Sequence, residues 1–302
     1  MEKQIDLYTA DDTVRLAIYG TVPERQHELN VLWEKYAPCV EQTLDKCGFN
    51  IQAGSFNSLL FDHKSMYMNW LFGFGLMKGL TGFEDLDMPD EINQESINNI
   101  KTTTTYFEIS EIFDHIMLLK ESTDIIEFDE NKVPYPKGNK PEDMEGAAAF
   151  DLLCMNAAFL MLHEFRHIQL SNMNHNFSAI EEEKECDNYA KNFIIEKISE
   201  YCKKSGYGYQ QVLVKRMLAI GFCFCFMIFI TPQKFWKKSK SHPSIKDRIG
   251  SILKDIEIGS NDNFWFYINR ILIILICYFD IKVENIKGNQ SKLFYSLIEK
   301  FE

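Results

Sequence analysis

The stretch Ala158-Phe159-Leu160-Met161-Leu162-His163-Glu164-Phe165-Arg166-His167-Ile168-Gln169-Leu170 holds two histidines four apart with a glutamate beside the first, the pattern H-E-x-x-H. Residues i and i+4 share one face of a helix. Both imidazoles can therefore reach one metal ion, and Glu164, one position further round, can touch a water on that metal. This is the spacing that a zinc hydrolase requires. The run into the motif, Ala147 to Leu162, is rich in Ala, Leu, Met and Phe and holds no Gly or Pro. That predicts a buried helix. A surface helix with idle histidines would not be preceded by Phe150, Leu152, Leu153, Met155 and Phe159.

A catalytic zinc takes three protein ligands and leaves a position open. Fourteen residues after His167 a second helical pattern begins with Glu181-Glu182-Glu183-Lys184-Glu185-Cys186-Asp187-Asn188-Tyr189-Ala190. Acids at a helix N-terminus need no further explanation than the helix dipole. Against that bland reading, Glu183 and Asp187 lie at i and i+4 on the face that turns apolar at Ala190 and Ile194. A carboxylate on a core face must find a partner, and a metal is one. Each residue turns the helix by about 100°, so Glu181, Glu182 and Glu185 point elsewhere and Glu183 is the expected third ligand. His175 is the competing candidate.

Taken together, His163-Glu164-x-x-His167, then Glu183-x-Glu185-Cys186-Asp187-x-x-Ala190, then His242-Pro243-Ser244 with Arg248-Ile249, resemble the gluzincin branch of HExxH peptidases. Within that branch the HEFRH form looks like the Lit-like phage-exclusion peptidases, peptidase family U49. The resemblance implies that His163, His167 and Glu183 bind Zn2+, that Glu164 is the general base and that Asp187 supports the ligands. It also implies a dormant enzyme that a phage-derived activator triggers to cut a host protein such as a translation factor. Cys186 departs from the pattern, since many relatives carry Ala there. The motifs cover about the middle third of the chain, and the first 130 residues show no match.

In Ser241-His242-Pro243-Ser244-Ile245-Lys246-Asp247-Arg248-Ile249, Ser241 as N-cap and Pro243 near a helix start would account for the residues without any chemistry. The functional alternative turns His242 or Arg248 toward the cleft. There it would donate to the oxyanion of a tetrahedral intermediate or pair with a carboxylate such as Asp187.

The composition suits a globular protein: 302 residues, 46% apolar and 14% aromatic. A net charge of −12 argues against a nucleic-acid partner, which would call for clustered Lys and Arg. Eight scattered cysteines without C-x-x-C, and a polar start at Met1 to Asp6, lead to the expectation of reduced thiols and a cytoplasmic protein. The uncharged run Met217 to Ile230 spans 14 residues, fewer than the ~20 that cross a bilayer. A membrane is therefore not expected.

In chain order, Ile5 to Val22 alternates Val14, Leu16, Ile18 and Val22 with polar residues and reads as one or two strands. Pro23 opens a helix through Val40, Phe56 to Phe61 reads as a strand, and Lys64 to Leu80 as a helix. Gly82 to Thr105 reads as loop with a short helix, and Thr105 to Lys120 as helix. Val133 to Pro141, with three prolines and a glycine, is a linker. Helices follow over Gln210 to Ile230 and Ile271 to Phe279.

The expected fold is α+β and zincin-like, mostly helical with a small sheet from the N-terminal half. It forms a single domain, 1–302, whose helical half from 141 carries the metal site. The expected function is zinc-dependent endopeptidase action on an intracellular protein. A zinc-bearing sensor or toxin-system partner without proteolytic activity is the alternative, and a purely structural helical protein would bind no metal at all.

Overall fold

Thr9 opens the first helix, α1 (Ala10–Thr21), where a strand was expected. Its hydroxyl accepts from the Asp12 N–H while the Asp12 carboxylate accepts from the Thr9 N–H, a reciprocal cap. Val14 and Ile18, at i and i+4, are buried, whereas Leu16 is 49% exposed, so the apolar period is helical. The chain is represented by a computed structural model that describes residues 9–82, 91–135, 140–173, 175–237, 239–240, 242–254, 256–260 and 262–302. The start of the expected strand, part of the expected loop after Gly82, the middle of the proline-rich linker, and Ser241 lie outside those residues.

After a 3-10 turn at Pro23–Arg25 comes α2 (Gln26–Tyr36). It stops before Val40 because Ala37 takes a left-handed conformation at φ 40°. The sheet follows as β1 (Cys39–Thr43), β2 (Ile51–Ala53) and β3 (Ser58–Asp62). β3 is central, parallel to β1 and antiparallel to β2.

The rest is dominated by helices: α3 (His63–Gly82), α4 (Gln94–Lys101) after the two-residue strand β4 (Glu91–Ile92), α5 (Thr104–Glu121), α6 (Met144–Asn172) and α7 (Ala179–Ile195). Then come α8 (Ile198–Ser205), α9 (Tyr209–Ile230), α10 (Ile245–Leu253), α11 (Asn263–Tyr278), β5 (Ile286–Lys287) and α12 (Gln290–Ile298). β5 pairs antiparallel with β4, so one short ribbon joins the two halves of the chain. The architecture is α+β, mostly helical with a small sheet from the first half.

One contiguous cluster of buried side chains runs from Val14 to Phe301. α6 lies within it, against α1, α3, α7, α9 and the sheet. Its motif turn is backed by α2, where Phe165 meets Trp33 at 4.8 Å between ring centroids. α3 approaches α6 at Gly73, where a Cβ would overlap the terminal carbons of Leu153. By length and composition α6 and α9 could each cross a membrane. α9 is 22 residues long, its first two turns adding polar and charged positions before the apolar run, and 78% of its most apolar window is buried by the rest of the protein.

Candidate active site

The C-terminal part of α6 meets the first turns of α7 with two imidazoles facing one carboxylate. Nε2 of His163 lies 3.2 Å from Nε2 of His167. Oε2 of Glu183 is 3.7 Å from the first and Oε1 is 3.5 Å from the second. Two imidazole nitrogens this close require a proton or a cation between them. Ligands about 2.0–2.1 Å from a tetrahedral metal stand about 3.3–3.4 Å apart. The three observed separations fall near that value.

The acids of α7 divide the surrounding work. Glu181 is occupied by the helix cap, accepting from the Ser178 N–H at 2.9 Å. Glu185 pairs with Arg166 at 2.5 Å. Glu182, expected to point elsewhere, accepts from Nδ1 of His167 at 2.7 Å, which fixes the ring with Nε2 toward Glu183. That corrects the sequence reading, which followed the 100° rotation and left out the reach of a glutamate. On the other side Oδ1 of Asp187 lies 3.0 Å from Nδ1 of His163, though not along a good hydrogen-bond direction.

Arg248 arrives from α10. Its helix is capped by Ser244, whose hydroxyl accepts from the Asp247 N–H, so the expected N-cap at Ser241 is replaced by one three residues later. Ile245, Ile249 and Ile252 bury the apolar face of α10 and turn Arg248 toward α7. Its Nε and Nη2 donate to the two oxygens of Asp187, and Nη2 also lies 3.6 Å from Glu183. His242 stands at the rim, 57% exposed, with Nε2 3.7 Å from Oε1 of Glu183. His175 is exposed and stacks on Phe177, away from the cluster.

Charge and burial oppose one another here. Burial pushes Asp187 up, but the Arg248 guanidinium outweighs it and holds the carboxyl at about 2. Burial likewise works on Glu183, whose carboxyl is nonetheless held low by His167, His163 and Arg248. At His167 burial disfavours the charge, and hydrogen bonds to Cys186, Glu183 and Glu182 overcome it to reach about 11. Without a cation, the excess of carboxylates over the Arg248 guanidinium is met by a proton on His167. A divalent cation among these donors would take that proton's place, so the donor set fits a metal.

Cys186, read from sequence only as a small residue, also belongs to the cluster. Its sulfur and donor nitrogens of His163 and His167 all lie within 4.8 Å of one another. The thiol is buried, which pushes it up to about 11. No sequence signal beyond its position, three residues after Glu183, pointed to it.

Glu164 faces the other way, toward β2, where the Ala53 N–H donates to its Oε2 at 2.6 Å. It lines a cleft of about 500 Å³ with Ile51 to Asn57, His167, Glu182, Glu183 and His242. The β2–β3 turn forms the lip, with Phe56 and Asn57 both at positive φ and Phe56 98% exposed. β2 is only three residues long, too short to read from sequence, yet it makes this wall.

Residues 59–268 match the family described as Peptidase U49. The matched region holds every residue of the cluster and excludes β2. No curated protein and no solved structure matches the chain.

Proposed function

Since the chain belongs to the peptidase U49 family, we propose that it is a zinc-dependent endopeptidase of zincin-like design. His163, His167 and Glu183 hold the metal. The observation that carries this reading is the set of two imidazole nitrogens and one carboxylate at metal-sized separations, at the edge of a cleft that Glu164 also lines. Bound there, zinc supplies polarisation of the scissile carbonyl and brings the pKa of a water toward ~7.

The chain's own residues do the rest. Glu164, steadied by the Ala53 N–H, takes the proton of the attacking water on its carboxylate and passes it to the departing amine. His242, at the rim, donates to the oxygen on which negative charge develops. Asp187 with Arg248, and Glu182, orient the two histidines from behind. The β2 wall and the exposed Phe56 provide a surface for an extended substrate. A sealed metal would favour a sensor without proteolytic activity; the open cleft and the exposed His242 favour the peptidase.

The substrate in this reading is an intracellular protein. The eight unpaired cysteines suit a reducing cytoplasm. A phage-derived trigger and a host translation factor as target are supported by the motif resemblance alone. The test is to express the protein and Glu164→Gln in bacteria, with and without phage, and to map new protein termini. We expect cleavage with the wild type only, while the variant keeps its metal and fold. Cleavage undiminished in Glu164→Gln would show that another group is the base.

A further inference from the structure

The cluster contains one more metal-binding group than the hydrolytic reading uses. Cys186 follows Glu183 by three positions on α7, so both side chains face α6. Its sulfur lies within 4.8 Å of donor nitrogens on both motif histidines. His163 is itself more than nine-tenths buried, with Nε2 directed at the same point. A buried thiol beside two histidines and a carboxylate is a fourth donor of the soft kind that zinc accepts readily.

We propose that Cys186 is a metal ligand of this centre, which therefore has two ligand sets: a closed one of His163, His167, Glu183 and Cys186, and an open one without the sulfur. The inference rests on the assignment of a metal to His163, His167 and Glu183. Four-coordinate centres with four protein donors are closed, whereas hydrolysis needs one position free. When Cys186 ligates, its S–H bond breaks, the proton leaves to solvent and a sulfur–metal bond forms. For turnover that bond must break and the sulfur must take a proton back. Cys186 thus opposes the chemistry of the centre while strengthening its hold on the metal.

Cobalt(II) in place of zinc reports the donors directly, because a thiolate ligand adds an intense near-ultraviolet charge-transfer absorption that nitrogen and oxygen donors lack. The full-length protein is loaded with one equivalent of cobalt, alongside Cys186→Ala and Cys186→Ser, with circular dichroism to confirm that each variant is folded. The expected result is a thiolate band in the wild type that both variants lose. Cys186→Ala should also bind zinc more weakly by at least the ~10–100-fold that loss of a supporting hydrogen bond costs. Cobalt bound without the band, or a band that survives in a folded variant, overturns the role of Cys186 and leaves the histidine and glutamate ligands standing. No cobalt bound by the wild type overturns both readings.

Discussion

Arg248 and Asp187, brought together from α10 and α7, form a two-bond fork: Nε donates to Oδ2 and Nη2 to Oδ1, each at 2.7 Å. Both side chains are largely buried, and the carboxylate also stands 3.0 Å from His163. The pair stands behind His163 and at the same time ties α10 to α7.

Breaking this pair by Arg248→Ala leaves a buried charge without its partner and should cost about 3–5 kcal/mol in denaturant unfolding. The acid behaviour follows from the sign of the Asp187 shift. Its folded pKa of about 2 lies below the ordinary 3.8, so its contribution is present above the ordinary value and is lost as pH falls toward 2. Asp187→Asn should flatten the loss of stability between about pH 4 and pH 2. An unchanged acid limb in the variant would show that other carboxyls carry it.

The acids of α7 should separate by metal content. Glu183→Ala is expected to lose most of the zinc, and Glu182→Ala to weaken binding about 10–100-fold by freeing the His167 ring. Glu181→Ala and His175→Ala should stay near wild type, since the first only caps a helix and the second is remote. Loss of zinc from His175→Ala with retention in Glu183→Ala would point to a three-histidine site.

For His242 the expectation is kinetic. His242→Ala should keep zinc and fold while lowering kcat by about 10²–10³, the usual loss when one oxyanion donor is removed. If kcat holds and KM alone rises, His242 binds substrate and does not serve the transition state.

The approach of α3 to α6 provides a test far from the chemistry. A methyl group at Gly73 would overlap Leu153, so Gly73→Ala should destabilise the protein by about 1–3 kcal/mol through overpacking. Equal or higher stability in a denaturant titration would mean that the helices separate without cost.

The motif helix, with its two histidines and Glu164, was legible in the sequence because it depends on local periodicity: i and i+4 on one helix share a face wherever that helix goes. The same holds for α3, α5 and α9, whose apolar residues recur at helical spacing. α1 was misread although its cap was present in Thr9 and Asp12, because Val14, Leu16 and Ile18 alternate like a strand and only burial shows that Leu16 faces out.

What the sequence by itself determined is a helix carrying His163, Glu164 and His167, followed by a second helix with acids on its core face. Only the tertiary structure decided how those acids divide: Glu182 behind His167, Glu183 between the histidines, and Asp187 bound by an arginine from another helix. It also decided that three residues of β2 wall the cleft and that Cys186 joins the donors. The reason is physical. Periodicity fixes which face a side chain occupies, but the partner it meets depends on the packing of helices distant in the chain and on a few ångströms of side-chain reach.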